Sequence, residues 1–265
     1  MNFLKRVAKL NSHNILIKPF AGLGRSINRF YENRNHHAET NCELRVLQKI
    51  SVLNPKTIFD VGANVGDYAE MARRTCAEAK IYSLEPVQST FEILERSLKE
   101  RKIENVHAIK KRLFKENKTI KINIYPGHEH ASIHDLEGVS YSSVGQNAIE
   151  VVKGDSLMEE SQLNSIDLLK LDIEGAEMDA LIGFEKAFRE KKIRAIQFEY
   201  GYINITSKIL LCDYYDFFKA FGYKIGKIYP KSVEFREYAF KHEDFIGPNF
   251  IAIHESDHEL KGLLS

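Results

Sequence analysis

One segment constrains the fold of this chain more than any other: Asp60-Val61-Gly62-Ala63-Asn64-Val65-Gly66-Asp67. The preceding residues TIFDV (57–61) form a short, nearly continuous apolar strand that runs into a turn with two glycines. A helix is predicted to open at Asp67. Small residues at such a turn let the backbone approach a ligand closely, and the helix start offers free N–H groups. A second apolar strand, Lys80–Leu84, follows, and Glu85 stands at its end, nineteen residues after Gly66. An acidic side chain there can accept both hydroxyls of an adenosine ribose, in charge-assisted bonds of roughly 1.5–3 kcal/mol each. Strand, glycine turn, helix, strand and acid form an adenosine-binding arrangement at the carboxyl ends of a parallel sheet.

The rest of the chain from residue 41 keeps this rhythm. Helices are predicted over Cys42–Val52, Asp67–Cys76, Ser89–Arg101, Ala176–Arg189 and Cys212–Phe221. Further strands are predicted at Val106–Ile109, Thr119–Tyr125, Ile149–Lys153, Ile166–Leu171, Ile193–Phe198, Tyr223–Tyr229 and Asn249–His254, and residues 126–148 read as a long polar loop. Strands separated by helices imply right-handed crossovers and a mostly parallel sheet covered on both faces. About twenty polar, turn-prone residues join the last two strands, so an antiparallel final strand is expected.

Composition excludes several classes. With 43% hydrophobic residues the chain can bury a core. Its 38 Lys and Arg balance 37 Asp and Glu, unlike a dedicated nucleic-acid binder, and no [DN]-P-P-[FYW] motif appears. No stretch reaches the roughly 18 apolar residues that span a bilayer. Cys42, Cys76 and Cys212 are widely spaced and form no CxxC, so a reducing, cytoplasmic setting is expected. The balance hides an asymmetry. Residues 1–40 carry seven basic side chains (Lys5, Arg6, Lys9, Lys18, Arg25, Arg29, Arg34) against Glu32 and Glu39, leaving the remainder net acidic. Phe3, Leu4, Val7 and Ala8, then Phe20, Leu23, Ile27, Phe30 and Tyr31, recur at helix spacing. The chain therefore divides into a basic amphipathic helical extension, 1–40, and one domain, 41–265. The extension either packs on the domain or makes peripheral contact with an anionic surface such as the inner face of a membrane.

Two cofactors compete for the glycine turn. A dinucleotide wants G-x-G-x-x-G, whereas the pattern here is G-x-x-x-G with Asp60 before it and Asp67 after it. Flanking carboxylates repel a pyrophosphate and suit an ammonium and a sulfonium, so S-adenosylmethionine fits better than NAD. A second constellation, Asp167-Leu-Leu-Lys170-Leu-Asp172-Ile-Glu174-Gly175-Ala-Glu177, ends a core strand in carboxylates. Asp172 should open into the ligand crevice, and Lys170, two residues earlier, projects from the same strand face. Glu174 is a candidate either for the site or for capping the next helix. Glu199 ends the adjacent strand and should point at the same crevice. Asp172 and Glu199 lack an obvious third ligand, so a divalent metal is conceivable but no metal site is predicted. His128, His130 and His134 have a metal-like spacing that nothing completes; one of them could instead serve as a general base.

FDVGANVGDYA (59–69), SLEPVQSTFEIL (83–94), IDLLKLDIEGAEMDALIGF (166–184), IQFEYG (196–201), FGYKI (221–225) and NFIAIH (249–254) together resemble the FkbM-type S-adenosylmethionine-dependent methyltransferases, over about residues 41–254. The resemblance implies an α/β class I methyltransferase fold: a Rossmann-like three-layer sandwich whose seven-stranded, mostly parallel sheet has an antiparallel last strand. It implies methyl transfer to the hydroxyl of a sugar, a glycan or a secondary metabolite. By position, Asp60, Gly62, Asn64 and Gly66 would hold the methionine part and adjacent backbone, and Glu85 the ribose. Asp172 and Glu174 would be catalytic-centre residues, with Glu199 beside the acceptor. The alternatives are an NAD-dependent oxidoreductase on a similar fold and a non-catalytic cofactor-binding protein.

Overall fold

Strands buried on both faces read as apolar runs rather than as alternating ones, and the central strands follow that rule: all five residues of β1 (Thr57–Val61) are buried. The computed structural model describes residues 10, 12–37, 40–125, 131–133 and 143–265. The apolar positions Phe3, Leu4, Val7 and Ala8 and the histidines at 128, 130 and 134 lie outside the described residues.

Before β1 stand α1 (Lys18–Tyr31) and α2 (Glu43–Ser51). After it come α3 (Asp67–Thr75), β2 (Lys80–Leu84), α4 (Gln88–Glu100), β3 (Val106–Ile109) and β4 (Arg112–Leu113). The middle of the chain forms β5 (Lys118–Ile124), β6 (Ala131–Ser132), β7 (Gly145–Val152), α5 (Gly154–Glu160) and β8 (Ile166–Leu171). It continues through α6 (Glu177–Ile182), α7 (Glu185–Arg189), β9 (Ile193–Glu199), α8 (Ile203–Ser207) and α9 (Leu211–Ala220). The chain closes with β10 (Tyr223–Ile228), β11 (Val233–Phe235), β12 (Asn249–His254) and α10 (His258–Leu264).

The main sheet has the order β11-β10-β12-β9-β8-β1-β2-β3. Strands β3, β2, β1, β8 and β9 run parallel, and β12 lies antiparallel between β9 and β10. Period-two alternation divides the side chains between two cores. Ile58, Ile81, Leu168 and Ala195 face α2, α3, α4 and α10, while Phe59, Leu169, Ile196 and Phe198 face α6, α7 and α9. Each fully buried Ile, Leu or Phe side chain among them contributes roughly 1.5–3 kcal/mol. This is a three-layer α/β sandwich with the antiparallel strand that the resemblance implies. The strand order reverses between β1 and β8, which opens a crevice at their carboxyl ends.

Several details differ from the sequence reading, among them the unpredicted helices Gly154–Glu160, Ile203–Ser207 and His258–Leu264. The main sheet has eight strands rather than seven, because Val233–Phe235 adds a three-residue hairpin strand beside β10. The expected loop over 126–148 is in part a strand: β7 starts at Gly145 and pairs with β5 in a second sheet, β4-β7-β5-β6. Its first residues are exposed and polar, so they carry no hydrophobic alternation to read. The helix expected over Ala176–Arg189 divides into α6 and α7 around Gly183.

Candidate active site

At the carboxyl edge of the main sheet a buried row of polar side chains replaces the apolar row beneath it. In register, Ser83 of β2 lies beside Asp60 of β1, Asp60 beside Lys170 of β8, and Lys170 beside Gln197 of β9. All four are at most 4% exposed. Ser83 Oγ donates to Asp60 Oδ2 at 3.4 Å. Lys170 Nζ stands 4.0 Å from Asp60 Oδ1, donates to Asp172 Oδ2 at 3.0 Å, and lies 4.7 Å from the centroid of the Tyr68 ring. Gln197 Nε2 donates to Glu43 Oε1 at 2.8 Å, and Asn41 Nδ2 to Glu43 Oε2 at 3.1 Å. Buried groups of this kind persist only where each charge has a partner. The lysine is that partner for two carboxylates, and their charges hold its pKa above the usual range against the opposing effect of burial.

Two tight segments meet above this row. Gly62 has φ +86°, and a Cβ there would drive into the carbonyl of Asp172. The chain can thus cross the end of β8 only with glycine at this position. Asp172 N donates to Val61 O at 3.0 Å, carrying the β1–β8 ladder one residue past the strand. Beyond it, Glu174 and Gly175 both adopt positive φ, 52° and 93°. The turn is held from inside by Glu177 Oε1, which accepts from Ile173 N at 3.0 Å and Gly175 N at 3.3 Å. From outside, Arg112 donates to Ile173 O, and Ser132 Oγ to Glu174 O at 2.8 Å.

The crevice between these segments is a cleft of about 370 Å³ whose polar lining includes Glu43, Asn64, Glu85, Arg112, Asp172, Glu174 and Glu199. A second lobe of about 770 Å³, on the Tyr68 and Lys170 side, shares Glu43, Gly62, Asn64 and Asp172 with it. Burial pushes the Glu85 carboxyl up to about 7, although the Val87 and Asn64 amides and the Arg112 charge oppose that rise. Burial, reinforced by the charges of Asp172 and Glu174, raises Glu199 well above the ordinary carboxyl range. Asp60 is raised to about 6, burial outweighing Lys170.

The structure brings Gly62, Asn64, Glu85, Asp172, Glu174 and Glu199 together around one cleft. Asp60 and Gly66 are not on its wall. Asp60 is wholly buried in the polar row, and Gly66, at φ +94°, leaves room for Leu94 of α4. Glu43, Gln197, Arg112 and Glu177 were not singled out as site residues from the sequence. A usable signal existed, since Ser83, Asp60, Lys170 and Gln197 are polar breaks in otherwise apolar strands near their carboxyl ends. Among the described residues no group of three or more His, Cys, Asp or Glu could hold a metal ion. The residues fit a cationic adenosylated ligand. Gly62 permits close approach, Asn64 Oδ1 is buried with no hydrogen-bond partner, and acidic side chains on the wall outnumber its one arginine.

The family model described as the methyltransferase FkbM domain matches residues 60–225, more than half of the chain. The chain belongs to the FkbM methyltransferase family. A curated relative, "Methyltransferase 1" of Beauveria bassiana (strain ARSEF 2860), is 28% identical over 145 residues. That match takes in 48% of this chain and 58% of the relative, so the chain spans little more than half of the relative's length. Among solved structures, methyltransferase FkbM from Methylobacillus flagellatus KT aligns over 88% of this chain and 60% of its own, with 16% identity and a TM-score of 0.49. A precorrin-6y C5,15-methyltransferase from Geobacter metallireducens GS-15 aligns over 80% of this chain and 86% of its own, with 11% identity and a TM-score of 0.45. The glycine turn, Glu85, Asp172, Glu174 and Glu199 all fall within the span that the FkbM family model matches.

Proposed function

We propose that this protein transfers the methyl group of S-adenosylmethionine to a hydroxyl oxygen of a sugar, a glycan or a secondary metabolite. The observation that carries this reading is Asp172: a carboxylate at the switch point of the sheet, tethered by Lys170 and open to the cleft between Glu85 and Glu199. The cofactor, when bound, supplies a methyl group on a positively charged sulfur, activated for in-line displacement. Glu85 accepts the ribose hydroxyls, while Gly62 and Asn64 admit the adjoining part of the cofactor. Asp172 would orient the acceptor hydroxyl and take its proton. Glu199, on the end of the neighbouring strand, would line the acceptor side of the cleft. Membership of the FkbM family favours this reading over an oxidoreductase using the same strand–turn–helix.

The test is incubation of the purified protein with cofactor carrying a labelled methyl group and an extract of its source cells. The reading predicts label in a methyl ether of a carbohydrate or small metabolite. Label confined to nitrogen, to protein or to nucleic acid would overturn it.

A further inference from the structure

The helix α1 buries none of its side chains, although its sequence repeats apolar residues at helix spacing. Leu23 and Ile27 are each 58% exposed and Phe30 is 89% exposed, and Phe20 and Tyr31 continue the same stripe. Lys18, Arg25 and Arg29 lie on the opposite side of the helix, by the same 3.6-residue period. Arg29 donates to the Tyr202 hydroxyl at 3.3 Å, which holds the end of the helix to the domain and leaves Lys18, Arg25 and the apolar stripe exposed.

The root of the helix is fixed. Glu32 accepts from Lys227 Nζ at 2.6 Å, and Asn33 Nδ2 donates to Asn41 O and Ile228 O at 3.2 and 3.1 Å. The Arg34 guanidinium stacks over the Tyr202 ring, 4.4 Å from its centroid. Ile228 and Tyr202 both mark carboxyl ends of parallel-running strands, β10 and β9, so the root lies on the sheet edge that carries the cleft. The segment then runs into the cleft wall at His36, Asn41 and Glu43. At the root, Phe30, Tyr31, Tyr229 and Pro230 line a mostly apolar groove of about 660 Å³, with Arg34 and Lys231 on its rim.

We infer that α1 seats on an anionic membrane surface and thereby turns the cleft edge towards that surface. Charge complementarity decides the occupant. Residues 10–31 hold three basic side chains and no Asp or Glu, and the first acidic residue of the chain, Glu32, is paired with Lys227. A helix with a wide apolar stripe and uniformly positive charge lies in the headgroup plane of anionic lipid. Among the described residues no helix is long and apolar enough to cross a membrane.

The experiment is cosedimentation of the full chain with vesicles of phosphatidylcholine plus phosphatidylserine and with phosphatidylcholine alone. The expected result is binding to the first that falls at least about tenfold without the anionic lipid. It falls about as far in the double variant Leu23→Glu, Ile27→Glu, whose exposed positions leave the fold intact, as circular dichroism will show. Hydrogen exchange should also slow at residues 202–207 on anionic vesicles. Equal binding by the variant, no lipid binding at all, or a wild-type dimer that the variant converts to monomer without any lipid binding would each overturn the inference. None of these readouts depends on methyl transfer, so the inference and the proposed activity fail separately.

Discussion

Lys170 lies directly opposite Asp60 in the β1–β8 register, with its ammonium 4.0 Å from Asp60 Oδ1 and both side chains sealed from water. The same ammonium reaches Asp172 at 3.0 Å, so one buried cation couples a structural carboxylate to one that faces the cleft. Removing it strands two negative charges. Lys170→Met should destabilise the protein by about 3–5 kcal/mol, the usual cost of breaking a buried pair. Adding Asp60→Leu should recover part of that loss, because an uncompensated buried charge disappears. Urea unfolding of the two single variants and the double variant measures the coupling; simple additivity would contradict the pairing.

Glu85 sets a pH dependence for cofactor binding. Its carboxyl is raised to about 7 by burial, so near neutrality it is only partly ionised. A carboxylate that accepts two ribose hydroxyls must be deprotonated. Affinity for S-adenosylmethionine, measured by calorimetry, should therefore rise between pH 6 and 8 and then level off. Glu85→Gln should bind more weakly and show no such rise.

Glu177 gives a stability effect of definite sign. Its pKa is raised from 4.5 to about 7, chiefly by burial, so the folded state holds its proton more tightly than the unfolded chain. That contribution is whole below pH 4.5 and is lost as pH climbs towards 7. Over this window it amounts to roughly 3 kcal/mol. Glu177→Gln keeps the oxygen that accepts from Ile173 and Gly175 and removes the titration. The stability difference between wild type and this variant should shift in the variant's favour from pH 4.5 to 7; a constant difference would contradict the assignment.

Gly62 tests the meeting of the two turns. An alanine there combines a positive φ with a clash against the Asp172 carbonyl. Gly62→Ala should cost more than about 4 kcal/mol or fail to give soluble protein, a loss outside the usual range for single changes. A stable variant with normal cofactor affinity would show that the β1 turn and the β8 end do not pack as described.

Much of this was legible in the residues. The parallel strands are apolar runs such as TIFDV and IDLLKL, bounded by glycine and carboxylate, and their pairing follows from the helices between them. Gly62, Glu85, Asp172 and Glu199 could be placed near one another because residues at carboxyl ends of adjacent parallel strands must converge. The polar row could not be read in full. Gln197 meets Glu43 across 154 positions of sequence, and nothing local in Asn41–Glu43 signals that a helix start will cap a strand in β9. The second sheet was hidden for a different reason: Gly145–Ala148 are solvent-exposed, and an exposed polar strand carries no alternation. The amphipathic pattern of α1 was plain, but period alone does not say whether its apolar side meets the domain or faces outwards.

The most direct test of the central claim separates binding from chemistry at Asp172. Calorimetry should give Asp172→Asn close to wild-type affinity for S-adenosylmethionine, because Glu85 and the glycine turn hold that ligand. Initial rates of labelled-methyl transfer to the identified acceptor should fall by about 10²–10⁴, the range for losing a positioned general base. Near-normal turnover by Asp172→Asn, with the fold and cofactor affinity intact, would contradict the account.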